Sequence, residues 1–132
     1  MNSKDFFIKA LECNALGDKK GAKVNYSKAI KLDPRYAEAY VNKGNIIYEV
    51  SLKKPRLCRV FEKFIALINY AKATAYSPNM FEVYVNIGVV CSSMAGYLTA
   101  IKNYNEAISI NPNNAIVYYY KAMANEGLRN YQ

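Results

Sequence analysis

The side chains best suited to chemistry in this 132-residue chain are cations and amides. Lys53, Lys54, Arg56, Arg59 and Lys63 put five cations into eleven residues, interrupted by one acid, Glu62. Such a cluster can meet an acidic protein, a phosphate backbone or an anionic lipid head, or simply face water. Leu57, Val60, Phe61 and Phe64 alternate with these charges at helical spacing, so one face can pack while the other is solvated. The aromatic stacking platform that single-stranded nucleic acid needs is missing, and nucleic acid is not an expected partner. Asn42 and Asn86 offer a different chemistry. An amide side chain carries both a donor and an acceptor, which matches a peptide unit without reading its sequence. Asn45 can add to that pair.

Histidine is absent. That removes the commonest general base, the Ser/His and Cys/His dyads and most zinc sites. Cys13, Cys58 and Cys91 are odd in number and not at metal-ligand spacing. With no apolar signal segment at the start, they read as reduced thiols in a cytoplasmic compartment. There is no Gly-rich phosphate loop and no paired-carboxylate motif. The expectation is therefore a chain without catalytic residues, metal or cofactor, and not an enzyme. No uncharged apolar run approaches the roughly 18 residues of a membrane span.

The elements that must position these groups announce themselves as repeats. Ala22-x3-Tyr26-x2-Ala29-x4-Pro34, Ala66-x3-Tyr70-x2-Ala73-x4-Pro78 and Ala100-x3-Tyr104-x2-Ala107-x4-Pro112 share one spacing. Small residues around one aromatic fall on a single helical face, where a neighbouring helix can approach closely. The Pro then stops the helix. Ahead of each such stretch lies another: Phe6/Ala10/Cys13, Tyr40/Gly44/Ile47, Tyr84/Gly88/Cys91 and Tyr118/Ala122/Asn125 hold one register. Cys13 and Cys91 thus fall on core positions, as small buried hydrophobes. Asp5 and Glu12 sit where an internal copy would meet its predecessor, as suits a first helix facing water.

These recurring positions resemble the tetratricopeptide repeat (TPR), a 34-residue helical hairpin. The resemblance covers essentially the whole chain. It implies an all-α fold, a right-handed α-α superhelix of about seven helices in one domain over residues 1–132. The repeats fall at about 3–36, 37–80, 81–114 and a half repeat 115–132. Pro34 and Pro78 are 44 residues apart, ten more than Pro78 and Pro112. The extra residues lie near 52–61, and Pro55 suits a first helical turn. The second helix of this repeat is therefore predicted to start early, near Pro55, and to run to about Tyr76. The last helix, from Ala115, has no hairpin partner in the sequence given and is expected to be the end of a fragment or a terminal cap.

The resemblance further implies a non-catalytic interaction module that grips a peptide or protein on an inner wall built from the first helix of each repeat. Carried over residue by residue, that wall includes Phe7 and Leu11, then Val41, Asn42, Asn45 and Tyr48, then Val85, Asn86 and Val89, then Tyr119, Tyr120 and Met123. In relatives an Asn ladder at the position of Asn42 and Asn86 holds the backbone of an extended peptide. The apolar members make an interaction patch. The cationic clamp that some relatives use on a C-terminal carboxylate does not carry over. Its cation positions hold Phe7, Glu82 and Asn86 here or, shifted by one repeat, Val41, Ile116 and Tyr120.

Charge adds a direction. Residues 1–80 hold fifteen basic and seven acidic side chains, whereas residues 81–132 hold three of each. A one-sided positive field favours acidic partners and weakens with salt. The alternative to peptide binding is self-assembly, a homo-oligomer formed through the C-terminal helix and its Ile116, Tyr119, Tyr120 and Met123.

Overall fold

The periodicity becomes helix throughout. The computed structural model describes residues 1–131, and among them there are seven helices and no strand. They fall into two units, residues 1–78 and residues 79 onward.

The first unit holds α1 (Ser3–Ala15), α2 (Lys19–Leu32), α3 (Ala37–Ser51) and α4 (Arg56–Tyr76). Local chemistry sets their ends. The Asn2 side chain accepts from the Asp5 amide while Asp5 accepts from the Asn2 amide, both at 2.9 Å, a reciprocal cap worth about 1 kcal/mol. Asp18 caps α2 by accepting from the Gly21 amide at 2.8 Å. Pro55 precedes α4, so this helix begins where the proline predicted and runs 21 residues.

Packing follows the small-residue pattern. Ala22, Tyr26 and Ala29 of α2 are buried with Ala10 of α1 and with Ala39 and Ile46 of α3. Gly44 of α3 lies against the Tyr70 ring of α4, where an added Cβ would come within 2.8 Å of Cε1. Tyr70 also donates its hydroxyl to Asn45 Oδ1. Burying an aromatic side chain of this size contributes about 2 to 3 kcal/mol, so Tyr26 and Tyr70 are principal anchors. Asp5 and Glu12 are exposed, as expected of a first helix.

The second unit holds α5 (Phe81–Ser93), α6 (Tyr97–Ile110) and α7 (Ala115–Asn130). Gly88 meets Tyr104 as Gly44 meets Tyr70. Val83, Val90, Cys91, Ala100, Ala107, Val117 and Ala124 complete the buried set. The turn into α6 repeats the turn into α2. Gly17 has φ +81° and Ala95 has φ +61°, and the following amide in each case donates to a cysteine carbonyl, of Cys13 or Cys91, at 2.8 Å.

Two details depart from the sequence reading. Tyr118, Ala122 and Asn125 continue the core register, yet all three are exposed. α7 buries Val117 and Ala124 toward α6 instead, and its other side carries no helix among the described residues. The second detail is a repeated residue that the spacing left unremarked. Asn25, Asn69 and Asn103 each precede the core tyrosine, and each donates its side-chain amide to the carbonyl four residues back, at 2.8 to 2.9 Å. The Asn-Tyr dipeptide in all three copies was the available signal.

Candidate functional site

In the second unit, α5, α6 and α7 enclose an open pocket of about 350 Å³. Val89 and Ser92 come from α5, Tyr97 and Tyr104 from α6, and Tyr120, Met123 and Ala124 from α7. Three expected wall residues, Val89, Tyr120 and Met123, therefore meet at one place. Tyr120 stacks on Tyr104 with ring centroids 6.0 Å apart, and Tyr119 lies 6.2 Å from Tyr120. Tyr119 and Met123 are more than half exposed. Ser92 Oγ and the Tyr104 hydroxyl, 3.4 Å apart, supply the polar groups at one end. Gly127 makes room for the Tyr97 ring, which a Cβ there would meet at 2.6 Å. Tyr97 escaped the sequence reading because it lies on the second helix of its hairpin, outside the wall positions. Val85 and Asn86 are half-buried on the preceding turns of α5.

The wall residues of the first unit divide. Leu11 is exposed, and Asn42 and Tyr48 are half-buried. Val41 is buried and Phe7 is stacked on Tyr36 at 4.9 Å, with Tyr26 also in contact. These two apolar side chains act as packing, which corrects the expectation that they form exposed surface: Val41 is buried within the fold, and the Tyr36 and Tyr26 rings lie against Phe7. Asn45 is half-buried and accepts from Tyr70, so part of its amide is engaged within the fold.

The basic insertion is rearranged more strongly. Lys53 and Arg56 are exposed, Arg59 is half-buried and Lys63 is buried. Burial holds the Lys63 amine below the usual lysine range, with Arg59 adding to the effect. Lys54 pairs with Glu62 at 2.9 Å. The expected division of an apolar face that packs and a charged face that is solvated is thus overturned. Leu57, Val60, Phe61 and Phe64 are exposed along with Lys53 and Arg56, while Lys63 is covered, because Ala66, Asn69, Tyr70 and Ala73 fix the opposite side of α4 against its hairpin partner.

A second cavity, about 360 Å³, lies in the first unit over Ile46, Ile47 and Val50. Lys19, Lys20, Lys23 and Lys54 surround it, with Glu62. Lys19 also reaches Glu49 at 2.9 Å. This largely exposed pair contributes under about 1 kcal/mol, so its weight lies in local charge rather than stability. Nearby, burial first and Lys23 and Lys72 second keep the Lys43 amine below its ordinary range. The surroundings are electropositive and suit an acidic group.

Among the described residues no three His, Cys, Asp or Glu side chains converge as a metal site. Cys91 is buried, Cys13 half-buried and Cys58 exposed, none in a disulfide. No described helix is long and apolar enough to cross a membrane.

What remains is an array of helical hairpins with small-residue contacts and surface pockets, and the comparisons with known proteins decide its lineage. A TPR repeat model matches residues 10–50 and a tetratricopeptide repeat model matches residues 81–114, together more than half of the chain. The chain belongs to the tetratricopeptide repeat family. The solved structure of the first TPR of Spaghetti (RPAP3), bound to the HSP90 peptide SRMEEVD, is similar over 97% of this chain and 96% of that one, with TM-score 0.82 and 16% identity. MamA is similar over 96% of this chain and 68% of that one, with TM-score 0.84 and 25% identity. The Arabidopsis OM64 TPR domain is similar over 94% of each, with TM-score 0.81 and 18% identity. No curated protein matches the sequence. Membership of the TPR family supports a protein-interaction role.

Proposed function

We propose that this TPR protein is a scaffold that binds a peptide or protein segment through its first-helix wall, with the pocket around Tyr120 and Met123 as the anchor. The observation that carries this reading is the convergence of Val89, Tyr120 and Met123 around one open, mostly apolar pocket. Its size suits one or two large apolar side chains, and Tyr and Met surfaces adapt to their occupants. Asn86 lies one turn before Val89 and is proposed to meet the backbone of a bound segment. Asn42 is proposed to do the same in the first unit. The peptide carried by the Spaghetti domain supports peptide binding by this fold. The absence of the clamp cations at Phe7, Glu82 and Asn86 argues for a different sequence in the bound segment. Free thiols fit a cytoplasmic setting.

Selection of binders from a displayed random peptide library tests this. Selected peptides are expected to lose at least about tenfold in affinity, or about 1.4 kcal/mol, on Tyr120→Ala and to weaken on Asn86→Ala. Peptides that bind both variants unchanged would move the site elsewhere.

A second reading, self-assembly through α7, draws on the exposure of Ile116, Tyr119 and Met123 on one helix. Sedimentation equilibrium separates the two, since a monomer across concentrations removes self-assembly for this chain.

A further inference from the structure

The outward stripe of α4 is not explained by peptide binding on the wall. Leu57, Phe61, Phe64, Ile68, Ala71 and Ala75 follow one another at spacings of four, three, four, three and four. They lie on the side opposite Ala66, Tyr70 and Ala73 and are all exposed, Leu57 at 86% and Phe61 at 66%. The corresponding helices do not share this character. In the register set by Ala22, Ala66 and Ala100, the positions of Phe64, Ile68, Ala71 and Ala75 hold Lys20, Val24, Ser27 and Lys31 in α2. In α6 they hold Leu98, Lys102, Asn105 and Ser109. A face that is mixed and mostly polar in its two counterparts is wholly apolar in α4, and the inserted residues lengthen it by Leu57 and Phe61.

We propose that this stripe docks an acidic amphipathic helix from a partner protein. The 4-3 spacing is the seam of a two-helix coil, about 28 Å long over 19 residues. Ala71 and Ala75 permit close approach by a second helix and offer little to a bilayer. Charge selects the sign of the partner. At 100° per residue Lys72 flanks the stripe about 60° to one side and Arg56 about 100° to the other, with Lys53 in the preceding turn. Residues 52–78 hold six basic side chains and one acid, Glu62, which is paired with Lys54. A second copy would bring like charges together at both edges, whereas Glu or Asp beside the partner's apolar seam would meet these cations.

The test uses the full chain and a labelled helical probe of about 20 residues, with Leu at the seam positions and Glu at the flanks, beside a matched probe with Lys flanks. Fluorescence anisotropy is expected to show saturable binding of the Glu probe and at least tenfold weaker binding of the Lys probe. The variant carrying Phe61→Ser and Phe64→Ser, whose fold circular dichroism checks, loses at least tenfold for the Glu probe. Tyr120→Ala leaves it unchanged, which separates this surface from the proposed anchor pocket. A second variant with Arg56→Glu and Lys72→Glu keeps the apolar seam and reverses the preference between probes. The proposal is overturned by failure of the Glu probe to bind, by equal binding of both probes, or by binding that survives the serine substitutions. It is overturned equally by a dimer in sedimentation that Phe64→Ser dissolves, or by capture on phosphatidylserine vesicles without probe binding.

Discussion

A Cβ built on Gly88 would lie 2.3 Å from Cε1 of Tyr104 and 2.7 Å from two further atoms of that ring. The ring is as fully buried as Ala100 and Ala107 on the same helix, so making room for a methyl shifts packed atoms rather than a free side chain. Gly88→Ala therefore sets a gain in helix propensity of about 1 kcal/mol against overpacking of about 1 to 3 kcal/mol. The expected result is a net loss of up to about 2 kcal/mol, read as a lower Tm in thermal unfolding. Gly44→Ala, with its nearest Tyr70 atom at 2.8 Å, is expected to lose less. The reverse order would show that Tyr104 moves more readily than Tyr70.

Ala95 invites the opposite change. It sits at φ +61°, while Gly17 occupies the equivalent turn of the first unit at φ +81°. A left-handed conformation penalises an L-residue with a Cβ by about 1 to 2 kcal/mol, and glycine's extra freedom in the unfolded chain returns about half of that. Ala95→Gly is expected to stabilise by about 0.5 to 1 kcal/mol. Chemical denaturation measures it, and an unchanged midpoint would mean that the turn relaxes at no gain.

The hairpins were legible because their contacts are written in residues that have few other uses. Gly44 and Gly88 make sense in helix interiors only opposite Tyr70 and Tyr104, and Pro55 marks the start of α4 by geometry that proline carries everywhere. The surfaces were less legible, because helical spacing tells which residues share a face and not which face is covered. Leu57, Phe61 and Phe64 share one with Ile68, yet the hairpin buries the side of Ala66 and Tyr70, and Lys63 is covered with it. The same ambiguity hid the burial of Val41. The pocket depends on Tyr97 and Tyr120 converging from different helices, and no spacing within one helix reports that.

Alkaline pH should expose the tyrosine anchors. Burial raises the Tyr70 hydroxyl well above the usual phenol range, with Tyr48 adding to it, and burial likewise raises Tyr26, Tyr36 and Tyr40. The unfolded chain releases these protons at about pH 10 while the folded chain retains them. Above that point the unfolded state binds fewer protons, so stability falls as pH rises toward the folded values. Lys43 and Lys63, lowered by burial, work in the opposite sense, since the unfolded state holds their protons longer. Tyr70→Phe isolates one contribution. It is expected to lower Tm at about pH 8 through the lost hydrogen bond to Asn45 and to reduce the further drop on going to about pH 11. Equal drops in wild type and variant would place the alkaline sensitivity elsewhere.

The three thiols should label in an order set by exposure. Cys58 stands in the first turn of α4 and is exposed, Cys13 is half-buried beside the Asn25 amide at 3.8 Å, and Cys91 is buried. Alkylation proceeds through the thiolate, and burial pushes the Cys91 thiol up, which reduces its thiolate as well as its access. With iodoacetamide and mass spectrometry at neutral pH, Cys58 is expected to label first and Cys13 more slowly. Cys91 is expected to label only through opening of the second unit, at a rate that rises steeply with denaturant. Gly88→Ala, which strains the same α5–α6 contact, should accelerate Cys91 and leave Cys13, the half-buried thiol of the first unit, unchanged. Acceleration of both together would show that the two units open as one.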